Sequence, residues 1–164
     1  KQGKPGQFKD NAKIVVADAI TVSGEITPPA ADVGKTAEFF AVGFYTATAK
    51  TCTGKKEDGH YYMMVTVPHN TPATKTDWYC PWDTSCTATT ETGTRAKDFV
   101  QWNGEIASLQ PFQAGTLKAT TMVDLIDNSR FPAPGLVCIT FGYRLDPGGP
   151  VFFHDKSIDV TIDK

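Results

Sequence analysis

The chain has 164 residues, of which 40% are hydrophobic, 11% aromatic and 21% charged, and its formal net charge is −2. This composition indicates one globular domain rather than a disordered chain. Lys and Arg form no cluster larger than GKK at 54–56, which excludes the basic face that nucleic acid requires. No apolar run approaches the roughly 18 residues of a membrane-spanning helix. We therefore expect neither a nucleic-acid partner nor membrane insertion.

The first predicted strands follow a polar, Gly- and Pro-containing N-terminal segment, residues 1–11. Four apolar side chains of the next segment are predicted to share one face: Ile14, Val16, Ile20 and Val22. Such an arm either completes its own sheet or adds a strand to the sheet of a second copy. We accordingly separate an N-terminal arm with its first strand, residues 1–23, from a domain at 24–164.

Strand patterns continue through the middle of the chain, and helix patterns are almost missing. The segments 38–45 and 60–67 are apolar on both faces, which predicts central strands. The segment 115–127 is long enough to bend or to contribute to two sheets. The short segments 98–102 and 150–154 are predicted edge strands.

The C-terminal part predicts a hairpin and a closing strand. The strand at 136–145 precedes DPGG at 146–149, a sequence that favours a tight turn because Pro sets φ and Gly accepts φ > 0. In the last strand Ile158, Val160 and Ile162 alternate with polar residues. Seven to nine strands, mostly antiparallel, predict an all-β, two-sheet sandwich, with a closed barrel as the alternative.

The four cysteines predict disulfide bonds: Cys52, Cys80, Cys86 and Cys138. Their spacing matches no common zinc site, and their even number is typical of exported proteins. Four cysteines allow three pairings, of which proximity favours Cys80 with Cys86. Cys52 would then pair with Cys138 and tie the loop after the strand at 38–45 to the strand at 136–145, much as an inter-sheet link does. We therefore expect a secreted or cell-surface protein.

The loop TDWYCPWDTSC at 76–86 contains two tryptophans, a tyrosine and two cysteines. In one interpretation Trp78, Tyr79 and Trp82 form a platform for sugar rings, and Asp83 or Asp77 accepts hydrogen bonds from sugar hydroxyls. In the other, the rings cover an open end of the sandwich, because large aromatic surfaces are costly to leave in water. The sequence favours the second interpretation.

Sequence motifs for catalysis are missing. The chain has no G-x-S-x-G, H-E-x-x-H or phosphate-loop motif, and its three histidines have no paired spacing. DLIDNS at 124–129 has the residues of a calcium loop or of an ordinary Asx turn, without the EF-hand pattern. We expect no enzymatic activity and no cofactor, and a structural calcium ion at this loop is the one exception kept open.

Two segments resemble the Ig-like sandwich modules of secreted and surface-exposed bacterial proteins: VGKTAEFFAVGFY at 33–45 and FGYRLDPGGPVFFHDKSIDVTID at 141–163. The antibody-type Cys…Trp…Cys spacing is not reproduced. The resemblance implies an Ig-like sandwich with a non-catalytic role in adhesion, filament building or carbohydrate attachment.

These expectations combine into one hypothesis and one alternative. The protein is expected to be a disulfide-stabilised extracellular structural or adhesive protein that assembles with other copies, or binds surface proteins, by N-terminal strand exchange. The alternative is a carbohydrate-binding module whose aromatic loop binds polysaccharide.

Overall fold

The structure, a computed structural model, describes residues 10–53, 59–68 and 95–164. Two single-turn 3-10 helices, Ala30–Asp32 and Ile106–Ser108, interrupt an otherwise all-β chain. The strands are β1 (Asn11–Val15), β2 (Ala19–Ile26), β3 (Thr36–Thr46), β4 (Gly59–Pro68), β5 (Arg95–Trp102), β6 (Gln113–Thr116), β7 (Thr121–Arg130), β8 (Gly135–Arg144), β9 (Phe152–Phe153) and β10 (Ile158–Asp163). The all-β prediction is confirmed, and the described ranges alone contain more strands than the seven to nine expected.

The strands form a large sheet and a small sheet. The large sheet runs β1-β10-β8-β3-β4-β5, with β6 paired to β3 and β9 paired to β8, and the small sheet is β2-β7. β1 lies parallel to β10, so the large sheet is mixed. This parallel pair is the exception within the mostly antiparallel arrangement that the sequence predicts. Alternating apolar residues determine which face a strand buries, and they carry no information about its direction.

β3 is the central strand that its two apolar faces predict. One edge of β3 pairs with β8, and the other pairs with β6 and β4 in succession. Phe39 and Ala41 belong to the main core, whereas Phe40 and Phe44 lie in two separate clusters. Because successive side chains of a strand point to opposite faces, the second pair lies on the far side of the large sheet.

The chain passes from the large sheet to the small sheet between β6 and β7. The predicted segment 115–127 therefore contributes to both sheets. At the crossing, Leu117 is buried in the core and the Lys118 N–H donates to the Thr121 hydroxyl at 2.9 Å. The Thr121 hydroxyl thus provides a hydrogen-bond partner for a main-chain N–H that lies between two strands and pairs with neither sheet.

One hydrophobic core joins the two sheets. Val22 and Ile26 of β2 and Val123 of β7 share a single buried cluster with the inward side chains of β3, β4, β8 and β10. The small sheet thus covers one face of the large sheet. On the opposite face of the large sheet, the indole of Trp102 packs with Phe40 and Leu109.

A disulfide joins Cys52 to Cys138, with a Cα–Cα distance of 5.8 Å. This is the pairing that the sequence analysis favours, but the bond does not link the two sheets. Val137 and Ile139 point into the core, so Cys138 between them points to the opposite face of the large sheet. The bond ties the segment after β3 to strand β8, as the sequence predicts, and both strands belong to the large sheet. The predicted Cys80–Cys86 pair lies outside the described residues.

Within the described ranges, no helix is long and apolar enough to cross a membrane.

Replacing both Cys52 and Cys138 by Ser should lower the free energy of unfolding by about 2–4 kcal/mol, because the bond closes a long loop and restricts the unfolded chain. Urea denaturation of the oxidised proteins measures the loss. The matched control is Cys80→Ser with Cys86→Ser: if these two cysteines pair as predicted, the loop they close is much shorter and its opening should cost less. An equal or smaller loss for the Cys52/Cys138 variant would contradict this assignment.

Candidate assembly edge and its adjoining groove

β1 forms one edge of the large sheet. It pairs with β10 in parallel over five residue pairs, from Asn11 with Asp159 to Val15 with Asp163. Its other edge faces no strand in the part of the chain that the structure describes. Ile14, 5% exposed, is the side chain that β1 buries in the main core. The strand is therefore attached to the rest of the domain by one main-chain ladder and one buried aliphatic side chain.

Polar interactions attach β1 to β10 and stabilise the turn that leads from β1 to β2. Asp163 binds the ammonium group of Lys13 at 2.8 Å and raises the pKa of that lysine through a hydrogen bond and charge attraction. The pair is exposed, so its contribution to stability is small. The Asp18 carboxylate accepts from the Val15 N–H at 3.1 Å, and the Asp18 N–H donates to the Val15 carbonyl at 2.9 Å. Residues 16–18 thus form a compact reversal between two sheets.

β2 has a strand partner on one edge only among the described residues. It pairs with β7, with register shifts on both sides of Val22, and residues 23–27 line a groove of about 680 Å³. The groove separates this edge from the β8–β9 hairpin, and Asp10, immediately before β1, also lines it. The assembly edge and the groove are therefore adjoining parts of one surface.

Aromatic rings form the wall of the groove. The Phe141 ring stacks on the His154 ring with centroids 5.2 Å apart, and Tyr143 lies 5.5 Å from Phe152. The Phe152 side chain is 50% exposed. Gly24 allows Phe141 to lie beneath β2, because a Cβ atom at that position would be 2.7 Å from the ring. An extended segment that entered the groove would lie between the edge of β2 that has no partner among the described strands and these aromatic rings.

The Tyr143 hydroxyl donates to the Asp32 carboxylate at 3.0 Å and fixes one end of the groove. Lys35 and Tyr143 both hydrogen-bond to Asp32 and hold the pKa of this carboxyl below its ordinary value of 3.8. Burial, followed by the bond to Asp32, raises the pKa of Tyr143 above 10.0. The contact connects the 3-10 turn Ala30–Asp32 to the centre of the large sheet.

The structure places the four predicted assembly residues in two different strands. Ile14 lies in β1, Ile20 and Val22 lie in β2, and Val16 lies in the turn between them. All four pack on the main core, with Ile14 and Val22 buried. In this structure they complete sheets of their own chain. The division predicted after residue 23 falls within β2.

Other predicted site residues stay predictions. Trp78, Tyr79, Trp82 and Asp83, with Cys80 and Cys86, lie outside the described residues. Of the predicted calcium loop, Asp124 is exposed and accepts a hydrogen bond from the Ser23 hydroxyl at 3.3 Å. Cys52, Cys138 and Asp159 lie close enough to hold an ion, but the two sulfur atoms are bonded to each other and offer no thiolate.

The sequence analysis does not identify the groove itself. The predicted hairpin at DPGG could have indicated that Phe152 faces Tyr143, since hairpin length sets strand register, and these residues are indeed paired. No local pattern connects Asp32 with Tyr143, because the two residues are 111 positions apart.

Comparisons with protein-family models, with curated proteins and with solved structures give no match for this chain. Its function is therefore inferred from its own residues.

Replacing Asp32 by Asn should reduce the sensitivity of the fold to acid. A carboxyl whose pKa is lowered by folding contributes stability above its unfolded pKa, and that contribution is lost as the pH falls through the folded pKa. Urea denaturation between about pH 5 and pH 2 should therefore show a steeper loss of stability for the natural chain than for Asp32→Asn. Asp146→Asn, an exposed carboxylate in the β8–β9 turn, is the control and should leave the slope unchanged. Equal slopes for all three proteins would contradict the assignment.

Proposed function

We propose that this protein is a non-catalytic extracellular structural or adhesive subunit, linked to other copies by exchange of its N-terminal strand β1. The observation that carries the proposal is the attachment of β1, which is an edge strand held by β10 alone within the described residues. An element of this kind can be replaced by the same element of a second copy, which makes identical contacts.

The cost of releasing β1 is small on the scale of domain stability. Burial of an aliphatic side chain such as Ile14 is worth about 1.5–3 kcal/mol, and the Lys13–Asp163 ion pair adds little because it is exposed. The exchanged strand recovers both contributions in the neighbouring copy. Exchange opens the turn at residues 16–18 and breaks the β1–β10 ladder, and a β1 strand from the second copy restores the same ladder.

The groove beside β2 supports the same proposal. An exposed strand edge favours pairing with another chain, and proteins normally cover or charge such edges. The Asp10 carbonyl, just before β1, accepts a hydrogen bond from the Asp159 N–H of β10, and Asp10 also lines the groove. A β1 strand from a second copy would therefore begin its pairing with β10 beside the groove. The unpaired edge of β2 and the half-exposed ring of Phe152 extend the available contact surface.

The strand order supports an Ig-like sandwich as the finer description of the fold. A variable-type Ig domain has a G-F-C-C′-C″ sheet opposite a sheet that contains the B–E pair. The order β10-β8-β3-β4-β5 opposite β2-β7 follows the same connectivity. In that description the groove lies beside the second strand, where a first strand would add to the small sheet.

The Cys52–Cys138 disulfide supports an extracellular location, since such bonds persist mainly in oxidising compartments. The alternative function, a carbohydrate-binding module centred on Trp78, Tyr79 and Trp82, is supported by the density of aromatic residues at positions 78–82.

Cysteines introduced at Lys13 and Thr161 should report which β10 strand each β1 contacts. The two residues are register partners on adjacent strands, and both are exposed. Neighbouring strands lie about 4.8 Å apart, a spacing at which a disulfide can form. If strands are exchanged, oxidation at high protein concentration gives a ladder of covalent multimers on non-reducing electrophoresis, and reductant converts the ladder to monomer.

The single variants Lys13→Cys and Thr161→Cys are the controls, and each should give dimers at most. Light scattering on the natural chain should show mass that increases with concentration. A double variant that forms only an internally bridged monomer, together with a natural chain of constant monomeric mass, would overturn the exchange proposal.

A further inference from the structure

A second depression lies on the face of the large sheet opposite the small sheet. Its volume is about 540 Å³, within the range of small-molecule sites. Val42, Phe44 and Thr140 of the central strands form its floor. The Cys52–Cys138 bond borders it and holds the segment after β3 against β8. A covalent bond and two central strands therefore give the depression a preformed shape.

An exposed aromatic ring stands at this depression. Tyr61 of β4 is 43% exposed, although its ring is supported from both sides. Phe44 lies 4.9 Å away in a tilted arrangement, and Trp102 lies 6.1 Å away edge-on. The Trp102 indole N–H donates to the Ser108 hydroxyl at 2.9 Å, which fixes the indole in turn. Tyr61 is thus a rigid ring with an accessible surface.

Phe44, the ring that packs against Tyr61, is itself closely packed. A Cβ atom at Gly59 would lie 1.9 Å from the Phe44 ring, so the ring occupies the space that a side chain would need. Phe44 is buried and pairs with Cys138 in the sheet register. A ligand that stacks on Tyr61 would therefore lose little free energy in ordering the protein.

Hydrogen-bond acceptors line the side of the depression away from Tyr61. Asp10, Asp155 and Asp159 contribute carboxylates, and the Ser157 hydroxyl donates to Asp159. Lys156 is the one lysine or arginine among the residues that line the depression. The rim therefore suits a ligand that offers many O–H donors and no negative charge.

We propose that this depression is a binding site for a neutral oligosaccharide of pyranose units. Tyr61 on β4 and Asp159 on β10 lie in one row across the sheet with β3 and β8 between them, about 14 Å apart at three strand spacings. The C–H face of one sugar ring packs on Tyr61, and hydroxyls of another ring of the same oligosaccharide donate to the carboxylates. The carboxylate excess disfavours acidic sugars such as uronates, because an added negative charge would be desolvated beside three others. The described residues that line the site lie outside the segment 76–86. Asp10 and Asn11 also line it, and a β1 strand from a second copy would supply the same two residues.

The test is a binding panel with the full chain, measured by isothermal titration calorimetry. The probes are neutral oligosaccharides of glucose, mannose, galactose and N-acetylglucosamine, with an oligouronate as the acidic comparison. The natural chain should bind at least one neutral probe and not the oligouronate. Tyr61→Ala should weaken that binding at least about tenfold, which corresponds to about 1.4 kcal/mol.

Four further variants separate a ligand site from a structural effect. Tyr61→Phe keeps the ring and should retain most of the affinity, and Asp155→Asn should weaken binding without affecting folding, because Asp155 is exposed. Phe152→Ala is the matched control, an exposed aromatic that lines the groove and not this depression. Trp82→Ala tests the aromatic loop. Thermal unfolding checks that each variant is folded.

Three results would overturn the proposal. They are no binding of any neutral probe at millimolar concentration, binding that Trp82→Ala abolishes while Tyr61→Ala leaves it intact, and a preference for the oligouronate. None of them changes the cross-linking result expected from strand exchange, so the two proposals fail independently.

Discussion

The pairing of β3 with β8 is the interaction on which the rest of the structure depends. The two strands are antiparallel neighbours from Glu38 with Arg144 to Thr46 with Leu136, and both are apolar on both faces. At one end Arg144 binds Glu38 at 2.6 Å and lies over the Phe40 ring. Towards the other end the Cys52–Cys138 bond attaches the following segment. A strand pair with this composition is stable only when material covers both of its sides.

Each face of this pair is associated with one of the two candidate sites. On the inner face, Phe141 and Tyr143 support the groove beside β2. On the outer face, Val42, Phe44 and Thr140 form the floor of the depression at Tyr61. Both surfaces are therefore built on paired central strands, which lowers the ordering cost of any ligand or partner strand. The strand proposed to be exchanged, in contrast, lies at the periphery.

The two proposals describe compatible roles for an extracellular protein. Strand exchange at β1 would use one edge of the large sheet, and sugar binding would use its outer face near β4. Asp10 and the segment 154–157 border both surfaces.

Local patterns in the sequence were sufficient for most of the elements. Segments 38–45 and 60–67 became β3 and β4, the DPGG turn joined β8 to β9, and the long segment at 115–127 supplied both sheets. The Cys52–Cys138 pairing also followed, by elimination from the proximity of Cys80 and Cys86. These features depend on side-chain period, turn chemistry and chain connectivity, all of which are local.

By itself, the sequence determined which side chains are buried and where the chain turns, because alternation and turn residues act over a few positions. Only the tertiary structure decided which strands pair and which distant side chains come into contact. The parallel pairing of β1 with β10, the contact of Asp32 with Tyr143 and the position of Tyr61 above Phe44 join residues remote in sequence or on different strands. A strand with one apolar face can satisfy its alternation beside any of several neighbours, so partner and direction are decided by how all the strands pack together.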